Sequence, residues 1–231
     1  MMKLLLRYFA LLLVFSAPVD ARTLNSLVLY YDEAEAGVGV QTMRYIINDN
    51  FMRIDGGQDE QDFILFDRQK KIVYSVNHED RTILKIISKP WHTPEFSFQV
   101  STKVTELTDA PRVFDRAVFD YRVIAGEKVC TSVMLVKNMY MNELMVLHEY
   151  QTIISGQQAA TLDNTPVELQ SPCFLIDQVF HKADYYKLGL PIQLTYSRDY
   201  SKLLKTVRRE NFDSRLFLLP QSYKEYQPFY Q

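Results

Sequence analysis

Cys130 and Cys173 are the two cysteines of this 231-residue chain, and they are its first candidates for covalent chemistry. In an oxidising compartment an even count predicts a disulfide. The loop it closes is long, and the chain-entropy model credits the bridge with roughly 4 kcal/mol. The alternative is a pair of buried free thiols, which behave as small apolar groups. Methionines form the next cluster, with Met139, Met141 and Met145 close together and Met134 upstream. Thioethers and imidazole suit Cu(I), and Met141, Met145 and His148 would share a helix face. The same stripe serves as an adaptable apolar wall, and with no second Met cluster the wall is the stronger reading. His148-Glu149 has the start of a zinc-protease helix, but Thr152 stands where the second ligand belongs. His78, His92 and His181 are scattered among turns and a helix end, where a surface role is the simpler expectation. The chain has no Gly-x-Ser-x-Gly elbow for a hydrolase nucleophile. Asp59, Glu60 and Asp62 lie in a Gly-flanked turn without the oxygen spacing of a calcium loop. No catalytic residue, metal site or cofactor is therefore expected.

The elements that must position these residues fall into two kinds. From Leu24 to Ile87, short runs rich in Ile, Val, Tyr and Phe alternate with turns such as Asn48-Asp49-Asn50, Asp55-Gly56-Gly57 and Asn77-His78-Glu79-Asp80. That spacing predicts an antiparallel meander. Pro90 and Pro94 bracket a crossing loop, and strands are expected over Phe96–Leu107, Phe114–Ile124 and Val129–Val136. The period then changes. Met141, Leu144, Met145 and His148 stand at helical spacing in a segment from Tyr140 to Ile154, with Gly156 as its stop. Thr165-Pro166 opens a second helix with Glu168 at capping-box distance and a stripe of Leu169, Cys173, Ile176 and Phe180. Pro172 falls inside it, so the regular helix starts either at Thr165 or at Pro172. Strands return over Ile192–Tyr196 and Leu203–Val207, and a polar, Tyr-rich tail ends the chain.

The expected fold is thus mainly β with an α+β character: a strongly curved antiparallel sheet with two helices packed in or over its concave face. A Cys130–Cys173 bridge would lay the second helix on the sheet, since bridged Cα atoms usually lie within about 7 Å. Strand alternation then puts Ser132, Met134 and Val136 on the face of Cys130, unless a bulge interrupts it. The candidate apolar cavity lining is Met134 and Val136 from the strand, Met141, Leu144 and Met145 from the first helix, and Leu169 and Ile176 from the second.

Residues 1–21 read as a cleaved export signal: Lys3 and Arg7, an apolar run from Tyr8 to Phe15, and Val19-Asp20-Ala21 at the cleavage point. The run is too short to span a bilayer, which takes about 20 apolar residues. Residues 22–231 then form a single domain in the periplasm, soluble and without a transmembrane segment. With Lys+Arg 26 against Asp+Glu 28 and the signs interspersed, there is no basic stripe for nucleic acid. Fourteen Phe and fifteen Tyr exceed what a small polar site requires. Most fill the core, and the rest suit an apolar cavity or docking surface.

Several short motifs recur in order along the chain: Phe51-Met52-Arg53-Ile54-Asp55, the hairpin Phe66 to Tyr74, Gly189-Leu190-Pro191-Ile192, and Phe212-Asp213 through Leu216 to Pro220 with Tyr223. In this the chain resembles the superfamily of the outer-membrane lipoprotein carrier LolA and its LppX-like relatives. The resemblance implies a half-open barrel wrapped around inserted helices, and a non-enzymatic carrier holding a lipid, acyl chain or lipoprotein in an apolar cavity. No lipoprotein-contacting position is carried over. Two other functions stay open: an envelope scaffold or assembly partner without a ligand, and an enzyme of unmarked type.

Overall fold

The computed structural model describes residues 22–196 and 200–228. The export signal expected over 1–21 lies outside the described residues. The apolar runs before the crossing loop become β1 (Thr23–Glu35), β2 (Gly39–Ile47), β3 (Phe51–Asp55), β4 (Phe63–Asp67), β5 (Ile72–Asn77) and β6 (Thr82–Ile87). Their hairpins close through side chains that bond locally to the backbone. Asn48 Oδ1 accepts from the N–H groups of Asn50 and Phe51, and Asp67 Oδ1 from that of Lys70, all at 3.0 Å. A second meander follows, with β7 (Val100–Glu106), β8 (Val118–Ala125) and β9 (Lys128–Lys137). After the helices come β10 (Gly189–Tyr196), β11 (Tyr200–Asp213) and β12 (Lys224–Tyr226).

All twelve strands join one sheet, in the order β12-β6-β5-β4-β3-β2-β1-β11-β10-β9-β8-β7. Neighbours are antiparallel except β12, which runs parallel to β6. The sheet is open, with β7 and β12 as its edges. Thr23↔Asp213 through Ala34↔Ser201 pairs β1 with β11 and joins the two meanders at mid-sheet. The polar, Tyr-rich tail contributes the short strand β12.

The first meander is buried on both faces, which is why its strands read as nearly continuous apolar runs rather than clean alternations. One face presents Leu27, Leu29, Ile47, Met52 and Phe66 to the helices. The other presents Val28, Ile46, Leu65, Val76 and Ile83 to Phe217, with Leu216 and Leu219 alongside, from the segment after β11. Beneath that segment, Arg44 donates two hydrogen bonds to Asp55, at 2.8 and 2.9 Å, and Arg53 donates a third at 2.7 Å. Burial works against the Asp55 carboxylate, yet Arg44 and Arg53 outweigh it and hold the carboxyl below its ordinary value. Arg53 also donates to the Leu216 carbonyl at 3.0 Å, tying the covering segment to the sheet.

The first helix, α1, spans Met141–Ala160. It runs past Gly156, the expected stop, because that glycine serves packing rather than termination: a Cβ there would meet Trp91 Cδ1 at 2.7 Å. Arg68 grips Glu149 bidentately, at 2.8 and 2.7 Å, and fixes α1 to the β4–β5 turn. The helix touches β3, β5 and β6 as well as β10, a reach that suits its length of about 30 Å. The second helix starts at Pro172, not Thr165. Val167–Leu169 makes a separate 3-10 turn, Ser171 Oγ accepts from Phe174 N–H at 3.3 Å, and α2 (Pro172–Phe174) runs on into a π-turn over Leu175–Val179. Proline has no N–H to continue an earlier helix and fits the first turn of a new one. No helix of the described residues is long and apolar enough to cross a membrane.

Candidate functional site

The Cys130–Cys173 bridge is present, with Cα atoms 5.0 Å apart, and it fastens α2 to β9. The alternation expected around it breaks at Cys130. On β8, Val123 pairs with Thr131 and Ile124 with Val129, which leaves Cys130 as the extra residue of a bulge. Cys130 and Thr131 consequently both face the helix: one bonds Cys173, and the other donates from Oγ1 to Asp177 Oδ1 at 2.6 Å. The inward set is Thr131, Val133 and Leu135 rather than Ser132, Met134 and Val136. Met134 is 38 % exposed, and Val136 is buried outside the main core cluster.

The other expected lining residues also move. Leu144 is fully buried in the core, while Met141 and Met145 are half-buried on its flank. Leu169 is 57 % exposed on the 3-10 turn. Ile176 lines a space of about 340 Å³ beneath the 93–102 segment, which it shares with Phe96, Tyr121 and Phe180. His148, read with the methionine stripe, instead approaches Asp184 Oδ1 at 3.3 Å. Among the described residues no group of three His, Cys, Asp or Glu side chains is placed to hold a metal.

The site that the structure does assemble is a cavity of about 470 Å³ between α1, the π-turn and the inner face of the sheet. Part of the lining is apolar: Met43, Ile54 and Ile64 from β2 to β4, with Leu147 and Ile154 from α1. The rest is aromatic and polar and interleaves with it, since Tyr45 pairs with Ile54 in register and Tyr150 stands between Leu147 and Ile154 on α1. This second part carries Tyr45, Tyr150, Tyr185, Tyr186, Tyr196 and Tyr200, with Glu33 and Lys202 among them. The helix face involved is Leu147, Gln151, Ile154 and Gln158, the stripe next to the methionine one. Its i, i+4, i+7, i+11 spacing was visible, but two glutamines disguise it in a search for apolar periodicity.

Lys202 sits among these polar groups, 8 % exposed. Its Nζ lies 3.0 Å from Glu33 Oε1 and donates to Tyr45 Oη at 2.5 Å. Tyr45 donates to Glu33 Oε1 at 2.5 Å, and Tyr200 to Oε2 at 2.7 Å. The ammonium also lies 4.3 Å from the Tyr45 ring centre, within cation–π range. Burial disfavours the Glu33 carboxylate, but Lys202 and the two tyrosine hydroxyls hold it below its ordinary value. Burial likewise pushes Lys202 down, against the pull of Glu33. These residues meet because Glu33 on β1 and Lys202 on β11 are directly paired in register, and Tyr45 stands on the next strand.

A second polar chain runs behind the cavity. Tyr196 Oη is 3.0 Å from His181 Nε2 and 3.4 Å from Tyr185 Oη, and Ser155 Oγ donates to the His181 carbonyl at 2.6 Å. Burial lowers His181 to about 4, with Asp184 opposing the shift and His148 adding to it. The imidazole is therefore neutral at pH 7, and Nε2 can accept from Tyr196. Burial raises Tyr150 to about 12, helped by Glu33. No tyrosine here is poised to ionise near neutral pH.

No family model matches the chain, and no curated protein matches it. Among solved structures it is similar to PNGF-II in its C2 and P21 crystal forms. Each aligns with a TM-score of 0.40 and 9 % identity over 89 % of this chain. The chain covers 31 % and 32 % of those chains, about a third of their length. Likeness at this level identifies no family and does not point to the lipoprotein carriers.

Proposed function

We propose that the protein is an exported, non-enzymatic binding protein that holds the apolar chain of an amphiphile in the cavity under α1. One observation carries this reading: a space of about 470 Å³, the size range of ligand sites, is lined by apolar side chains interleaved with polar aromatic ones. The disulfide suits an oxidising compartment such as the periplasm, and the ordered motifs that resemble the LolA-like carriers favour the same role. In this reading the sheet wraps α1 as a half-open barrel. The titratable groups at the cavity support binding over catalysis, since Glu33 and Lys202 are bonded to each other and to Tyr45.

Binding of single-chain amphiphiles of increasing length, followed by calorimetry, tests the proposal. Each methylene that enters the cavity is worth about 0.8 kcal/mol. Affinity should therefore rise about fourfold per carbon and level off once the apolar lining is covered. No binding at any length, together with a co-purifying envelope protein, would establish the scaffold function instead.

A further inference from the structure

Inside the cavity the charged groups are already committed, and Glu35, which also lines the space, stands at its exposed rim. Glu33 is held by Lys202, Tyr45 and Tyr200, and Asp177 accepts from Thr131. What remains to meet a ligand is neutral. Gln151 and Gln158 from α1 and Gln178 from the π-turn line the space, and none of their carboxamides has a hydrogen-bond partner among the described residues. Each offers a carbonyl acceptor and two N–H donors, the complement of a hydroxyl group that both gives and takes. Gln151 and Gln178 are half-buried, whereas Gln158 stands at the exposed rim. In the same lining Tyr196 and Tyr200 lie nearly parallel, 20° apart with centres at 5.6 Å. Their ring faces suit the C–H faces of a saturated ring.

From this division we infer that the cavity recognises an amphiphile with a neutral, hydroxyl-rich head, a sugar or polyol, bound by Gln151, Gln178 and the Tyr196/Tyr200 surface. The inference rests on the binding function proposed above and adds the chemistry of the head. A charged head would be a poor fit. With Glu35 out at the exposed rim, a charge carried inside would have to break the Glu33–Lys202 pair to gain a counter-ion, or enter without one and lose its hydration.

The test compares four probes on the full folded chain: dodecyl maltoside, dodecyl sulfate, dodecyltrimethylammonium and free maltose, each below micelle formation. The maltoside should bind at least about tenfold tighter than either charged amphiphile, a difference of about 1.4 kcal/mol. Gln151→Leu and Gln178→Leu should each shrink the ratio of maltoside to dodecyl sulfate affinity, with an unchanged urea unfolding midpoint as the control for folding. Equal affinity for the three dodecyl probes would overturn the head assignment and leave the chain-binding function standing. Preference for a charged head would likewise overturn the assignment. Maltose binding as tightly as dodecyl maltoside would uphold the head assignment and overturn the chain-binding function. No binding by any probe would overturn both.

Discussion

Replacing Lys202 with Met keeps the apolar stem and removes one partner of an ion pair that is nearly enclosed. The Lys202 side chain is 10 % exposed and that of Glu33 18 %, so solvent screens little of the loss. Removing one member of a buried pair costs about 3–5 kcal/mol, because the other charge stays behind without its partner. Tyr45 and Tyr200 still donate to Glu33 in the variant, which places the expected cost near the lower end, about 3 kcal/mol. Glu33→Gln should cost about 2 kcal/mol, since a carboxamide oxygen keeps an acceptor for Tyr45 but not the charge. The double variant leaves no buried charge. It should lose only about 2–3 kcal/mol, well short of the sum, for a coupling of about 2 kcal/mol. Urea unfolding followed by circular dichroism measures all four proteins. With a slope of about 2 kcal/mol/M, Lys202→Met should lower the midpoint by about 1.5 M at unchanged slope. A single-variant cost under about 1 kcal/mol, or losses that simply add, would refute the claim that this pair is a paired structural unit.

His181 gives a pH dependence of definite sign. Its pKa falls to about 4 in the folded protein from the ordinary 6.5, so the unfolded chain binds the extra proton first. Stability is complete above pH 6.5 and declines toward pH 4, by up to about 3 kcal/mol. Asp184, His148 and Lys187 lie nearby in both proteins, so wild type minus His181→Gln isolates the histidine, and parallel stability–pH curves would rule its contribution out. Reducing Cys130–Cys173, or changing both to Ser, should cost roughly 4 kcal/mol and free α2 first. Hydrogen exchange over 172–179 checks this, and equal thermal midpoints would count against it. Gly189→Ala should destabilise by more than about 2 kcal/mol, because its Cβ would lie 2.0 Å from the Val136 carbonyl oxygen. A midpoint unchanged in the same urea assay would show that β9 and β10 can part without cost.

Local rules were enough for the strands. The turns at Asn48, Asp67 and Asn77 close through their own side chains, and the β-branched runs between them have no competing helical period, so the first meander was legible residue by residue. The even count of two cysteines likewise pointed to the bridge. Helix ends were harder because a glycine carries two messages. Gly156 reads as a stop, yet the helix runs on through it to Ala160, and Trp91 needs the space its missing side chain leaves. Pro172 is the opposite case, a residue whose missing N–H alone decides where α2 begins.

The cavity belongs to the tertiary structure. A one-residue bulge at Cys130 reverses which β9 side chains face inward, and no local pattern announces it because both alternating sets are largely apolar. The pairing of β1 with β11, across most of the chain, sets Glu33 beside Lys202. A buried charge has a use only once its partner is known, and that partner is set by strand order rather than by neighbours in sequence. The sequence by itself determined the mainly β class and the disulfide. Which side chains meet under α1, and so what the cavity can hold, was decided by register and strand order, because these fix long-range contacts that no local propensity encodes.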